Sequence, residues 1–249
     1  MKKIIALLSL FGLLLLVGNQ TTYAQDEAPA TEQTDAKPAG LTKVLKQKFI
    51  EGDPKWMFPV LLCLILGLAI AIERIISLNL ATSNKTKLLQ DVDAALQAGN
   101  VEEAVEIAKS TKGPVAGILF QGLDRVSEGL DVVEKSISSY GSVLAGRLEK
   151  GLSWLSLFIA IAPMLGFMGT VIGMIGAFDN IAKAGDVDIK VISADIKVAL
   201  LTTVFGLITA IILQIFYNYI LSKIDGLVND MEDASVSLVD MLVKYRLEK

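Results

Sequence analysis

The sequence predicts an all-α, polytopic membrane protein with three transmembrane helices, two of them extending into a cytoplasmic helical bundle. Three observations carry this. Of the 249 residues, 53% are hydrophobic and the mean hydropathy is +0.55, too apolar for an ordinary soluble domain. That excess collects in three long runs that contain no Asp, Glu, Lys, Arg or His, as a cost of at least about 2.5–3.5 kcal/mol for a mid-bilayer charge requires. Apolar residues then recur every three or four positions beside two of those runs, which is helical periodicity.

The N-terminus reads as a targeting segment. Lys2 and Lys3 precede an apolar stretch from Ile4 to Val17, and a polar run ends at Thr22-Tyr23-Ala24, so cleavage after Ala24 is expected. As a helix that stretch would rise only about 21 Å, short of the roughly 30 Å hydrocarbon core, which argues against a retained anchor. Residues 25–40, rich in Ala, Thr, Glu, Asp and Pro, read as a disordered periplasmic leader. Leu41, Val44, Leu45 and Phe49 form a short amphipathic helix, which either lies on the membrane surface or packs as a connector on the first span.

The first span is expected over residues 56–74, after the helix start Asp53-Pro54 and with Trp56 at the interface. The second occupies residues 151–178 and the third 198–221, with Trp154, Tyr217 and Tyr219 near interfaces. The signal peptide places the start of the chain outside. Residues 75–150 and 222–249 are then cytoplasmic, and the 179–197 loop is periplasmic, in a bacterial inner membrane. Arg74, Lys150 and Lys223 sit at inner ends, although Lys183, Lys190 and Lys197 fall on the outer side.

Within the cytoplasmic part, Asn100 can cap a helix beginning Val101-Glu102-Glu103, and Pro114 suits a first helical turn. Leu130, Val133, Ile137, Tyr140, Leu144 and Leu148 form a stripe leading into the second span. Ile224, Leu227, Val228, Met231, Leu238, Met241, Leu242 and Tyr245 do the same beyond the third. Each reads as a membrane helix continuing outward for roughly 70 Å in all. The same residues also suit an ordinary bundle whose helices break at the membrane surface.

Composition narrows the chemistry. The net charge is −4 with no basic cluster, so nucleic acid is not an expected partner. There is no His, and Cys63 is the one cysteine, so neither a metal site, a cofactor nor an internal disulfide is expected. No nucleophile–base pair or phosphate loop suggests an enzyme. The second and third spans do carry small and polar stripes. Gly166, Thr170, Gly173 and Ala177 share one face, with Gly169 and Gly173 making a GxxxG. Thr203, Gly206, Ala210, Gln214 and Tyr217 share another, flanked by Thr202 and Asn218. Close helix packing and a polar pore lining both fit such stripes. If they line a proton path, the titrating group has to come from another polypeptide.

The run Ile161-Ala162-Pro163-Met164-Leu165-Gly166-Phe167-Met168-Gly169-Thr170-Val171-Ile172-Gly173, continuing to Phe178, resembles the second-span signature of the MotA/TolQ/ExbB proton-channel family. Ala199-Leu200-Leu201-Thr202-Thr203-Val204-Phe205-Gly206-Leu207 with Tyr217-Asn218 resembles its third-span signature, and Ala71-Ile72-Glu73-Arg74 the end of its first span. The likeness covers roughly residues 41–245 and fits an ExbB-like member best. It implies a homo-oligomeric ring, a pentamer, around an ExbD-like single-span partner whose membrane aspartate carries protons, with a TonB-like protein passing work to outer-membrane transporters. It implies that Thr170 and Thr203, with Thr202 beside them, line the proton path, and that Gly166, Gly169, Gly173, Gly206, Ala210 and Gln214 serve close packing or face the partner. A TolQ-like envelope motor and a non-conducting scaffold are the alternatives. Two positions depart from the family pattern. Val198 stands where many members have Glu, with Asp195 a turn earlier, and Ile212 and Gln214 follow where many have Pro.

Overall fold

A computed structural model describes residues 48–49, 52, 54–184 and 189–247. The expected signal peptide, the leader and most of the short amphipathic helix lie outside the described residues. From Pro54 on, the described residues form α1 (Pro54–Ala81), α2 (Lys85–Gln97), α3 (Val101–Ser110), α4 (Pro114–Leu123), α5 (Leu130–Leu148), α6 (Leu152–Ala184) and α7 (Ile189–Leu247), with a 3-10 turn at Val126–Glu128. Three of the helical stretches are long and apolar enough to cross a membrane, one each around α1, α6 and α7. They make this a multi-pass membrane protein.

Local chemistry sets the helix ends. Pro54 opens α1, where its missing N–H costs nothing. Asn84 accepts a hydrogen bond from the Lys87 amide at 3.2 Å and caps α2. Gly99, at φ +79°, closes α2 in a Schellman turn, with the Asn100 amide on the Ala95 carbonyl at 3.0 Å and the Gly99 amide on Leu96 at 2.9 Å. Asn100 then caps α3 as expected, accepting from the Glu103 amide at 3.1 Å. Pro114 occupies the first turn of α4.

Two hydrophobic cores result. In the membrane part, Ala71 and Leu78 of α1 meet Leu152 and Leu155 of α6 and Leu213, Ile220, Ile224 and Leu227 of α7. In the bundle, α2 to α5 close around Met231, Ala234, Leu238 and Leu242 of α7. Large apolar side chains such as Phe58, Ile65, Phe167, Ile175, Leu200 and Ile211 face outward instead, the inverse of a soluble surface and what a lipid or intersubunit environment calls for. Lys85 bonds Asp230 at 2.7 Å and Asp233 at 3.0 Å, one turn apart on α7, and so fastens the start of α2 to it.

The two long stripes end differently from one another. α7 runs unbroken for 59 residues, about 89 Å at 1.5 Å per residue. The α5 stripe does not run straight into the second span. The helix stops at Glu149 and restarts at Leu152, with Gly151 at φ +88° in the left-handed region. Hydropathy does not register a single glycine, so the stripe alone concealed this joint. The expected 179–197 loop is mostly helical too: α6 continues to Ala184 and α7 begins at Ile189. Hydropathy marks where a span leaves lipid, not where its helix ends.

Arg74 braces the joint. It is 7% exposed and donates from Nη2 to the Leu148 carbonyl, one of the acceptors left over at the end of α5.

Two predictions follow from this packing. Gly113 (φ +121°) and Gly129 (φ +106°) both adopt a backbone that side chains rarely tolerate, but a Cβ on Gly113 would also fall 2.6 Å from the Ala81 carbonyl oxygen. Gly129→Ala should lower stability by about 1–3 kcal/mol and Gly113→Ala by more, read from thermal unfolding of the solubilised protein. Hydrogen bonds to Asp230 and Asp233 raise the Lys85 pKa above its ordinary value. The clasp is therefore fully formed below about pH 10.4 and is lost as pH rises through the elevated value. Lys85→Met should flatten the alkaline limb of a pH–stability curve.

Candidate functional site between the second and third spans

Glycine brings the backbones of α6 and α7 together. A Cβ on Gly166 would stand 2.9 Å from the Thr202 carbonyl oxygen and 3.0 Å from Thr203 Cα. On Gly206 it would stand 2.6 Å from the Ala162 carbonyl oxygen and 3.3 Å from Pro163 Cα. Gly169 faces Thr202 Oγ1, and Gly173 faces Ala199 Cβ, where added atoms would come within 2.6 and 2.9 Å. Real Cβ atoms essentially never come within 3.0 Å of such neighbours, and each of the four glycines has one closer than that, so larger residues here would push the helices apart. This is small-residue packing of the kind that holds helices together in lipid.

The close approach delivers three hydroxyls to two carbonyls. Thr170 donates to the Ala199 carbonyl at 3.0 Å across the seam, and Thr203 donates to the Gly166 carbonyl at 3.0 Å. Thr202 reaches its own helix at Ala199 at 2.8 Å, and Gly166 at 3.3 Å. The Thr170 and Thr203 hydroxyls also bond to each other, and either can be the donor. Each hydroxyl has one proton and more than one acceptor in reach. Proton orientations along the cluster can therefore invert while the heavy atoms stay in place.

The structure separates the three threonines. Thr202 is wholly buried in the seam, whereas Thr170 and Thr203 are half-buried and together reach the surface. Gly166, Gly169 and Gly206 are buried and Gly173 half-buried. Ala210 is half-buried, and Gln214 is exposed with its amide on Asn218 at 3.2 Å. Thr209, 3% exposed and one heptad beyond Thr202, was not among the expected residues. Its spacing from Thr202 was the available signal. At the hairpin end, Asn180 of α6 donates to Asp195 of α7 at 2.8 Å.

A short seam of glycines and hydroxyls between two charge-free spans, beneath which both helices lead into a bundle, matches a known class. The profile of the MotA/TolQ/ExbB proton channel family matches residues 110–233, from just before α4 through the seam and into the outer half of α7. The chain belongs to that family. Among similar proteins are a putative biopolymer transport protein ExbB homolog of Methanothermobacter thermautotrophicus (31% identical, over 68% of this chain and 60% of that one) and an ExbB-like protein of Synechocystis (28%, over 73% and 72%). The biopolymer transport protein ExbB of Neisseria gonorrhoeae is 28% identical over 71% of this chain and 86% of its own. Within the family, then, this is an ExbB-like member.

The seam yields a test of its packing. Gly206→Ala should cost about 1–3 kcal/mol, because the obstacles its Cβ meets are backbone atoms that no rotamer change can move. A Cβ on Gly176 of α6 meets nothing within 4 Å, so Gly176→Ala should leave the melting temperature in detergent unchanged or slightly raised.

Proposed function

We propose that this chain is the proton-channel, or stator, subunit of an inner-membrane energy-transducing complex. It works with an ExbD-like single-span partner and uses the proton motive force to energise TonB-dependent outer-membrane transport. The observation that carries the reading is the Thr170–Thr203 hydroxyl pair, half-buried at the surface of a seam whose spans contain no Asp, Glu, Lys, Arg or His. Such a pair can order water or exchange hydrogen bonds with a carboxyl group, but it has no proton that titrates near neutral pH. A membrane aspartate on the partner supplies that proton. Passage of one charge through 100 mV releases about 2.3 kcal/mol, more than the roughly 0.5–1.5 kcal/mol net worth of a hydrogen bond. That is enough to switch the partner between packing positions.

Several copies, a pentameric ring, enclose the partner in this reading, with the hydroxyl pairs facing inward. The bundle and the C-terminus are cytoplasmic and the 179–197 segment periplasmic. Thr202 holds the seam, and Thr170 and Thr203 line the path. A TolQ-like role in envelope maintenance uses the same machinery, and the identity of the co-purifying single-span partner separates the two.

Replacing Thr203 by Val keeps the shape and removes the hydroxyl. Energised uptake should fall about tenfold or more, the factor carried by one hydrogen bond of about 1.4 kcal/mol, while the complex still assembles. Thr203→Ser should restore most of the rate. Uptake unchanged in the Val variant would instead favour a non-conducting scaffold.

A further inference from the structure

A cavity of about 380 Å³ opens where the end of α1, the turn before α4 and the end of α5 meet. Its walls include Arg74, Leu80, Lys112, Tyr140, Arg147 and Leu148. Three cations thus border one hollow, and no Asp or Glu lines it. Lys112 and Arg147 are exposed, and neither has an ion-pair partner among the described residues. Arg74 is buried, and although Nη2 is engaged by Leu148, its Nε has no partner. Three cations around one hollow with no acidic side chain leave their charge uncompensated, which calls for an anionic occupant.

The surroundings identify what that anion is attached to. Ile72, Ile76 and Leu80 lie four residues apart on one face of α1 and are 53%, 55% and 77% exposed. The apolar outer surface of the first span therefore continues past Arg74 and down to the cavity mouth. The 28 residues of α1 rise about 42 Å, close to the full bilayer with its headgroups. The hollow then lies at headgroup depth on the bundle side, with acyl-chain surface directly above it.

We infer that this cavity binds the phosphate headgroup of an anionic phospholipid from the adjoining leaflet. Arg74 and Arg147 donate to the phosphate, Lys112 closes the mouth, and the acyl chains run along Ile72, Ile76 and Leu80. The bound headgroup bridges α1, the α4 turn and α5 beside the Gly151 joint. This inference is independent of the proton-channel reading.

The test uses the intact complex, purified in detergent. Phosphatidylglycerol, phosphatidylcholine and inorganic phosphate are titrated separately, with binding followed by native mass spectrometry. Phosphatidylglycerol should bind more tightly than phosphatidylcholine. The variant carrying Lys112→Gln and Arg147→Gln, both at exposed positions, should bind phosphatidylglycerol about 30-fold more weakly. Lys87→Gln with Lys109→Gln, two exposed bundle lysines, should leave that affinity unchanged, and inorganic phosphate should fail to displace the lipid. Equal binding of the two lipids, or an unaffected Lys112/Arg147 variant, would overturn the inference. Inorganic phosphate binding as tightly as phosphatidylglycerol would assign the cavity to a free anion and overturn the lipid assignment.

Discussion

The contact on which the rest of the molecule depends is the one between Gly166 and Gly206, where two helices meet backbone to backbone. Lipid tails are as apolar as leucine, so burial gives membrane helices little reason to associate. Shape and hydrogen bonding have to do it. Glycine at 166, 169, 173 and 206 lets the helices approach until hydroxyls on each reach carbonyls on the other. With side chains at those positions the helices would separate, and Thr170 and Thr203 would no longer meet. Packing and site chemistry are thus one arrangement.

The same arrangement explains why hydroxyls serve here and carboxylates do not. A carboxylate in the seam would pay a desolvation penalty that nothing in the two spans offsets. A threonine instead satisfies its proton on a neighbouring carbonyl and is left able to accept. The seam is therefore stable when alone and still receptive to a group brought to it. That combination underlies the proposed division of labour between this chain and a partner that carries the charge.

Much of this was legible in the sequence, for identifiable reasons. The three spans follow from charge exclusion, which lipid enforces strictly. The caps at Asn100 and Pro114 follow from local hydrogen-bond geometry. The glycine and threonine positions of the seam could be placed on helix faces from spacing alone. Other features could not be read. The joint at Gly151 depends on a single backbone angle, and Thr209 lies off the polar stripe through Thr203 that spacing makes conspicuous. The hydrogen bond from Arg74 to the Leu148 carbonyl joins residues 74 positions apart. Nothing in either local sequence announces such a contact; only the folded chain brings them together.

The unbroken course of α7 has a mechanical meaning. Thr203 and Leu238 lie on the same rod, some 52 Å apart along its axis. A tilt of about 5° at the membrane end would sweep the far end sideways by about 4–5 Å, most of the width of a helical turn. The neighbouring rod is two helices, α5 and α6, that meet at Gly151 and are pinned there by Arg74. One member is a single lever and the other a jointed strut. A displacement at the hydroxyl pair would therefore be carried to the bundle without interruption only along α7.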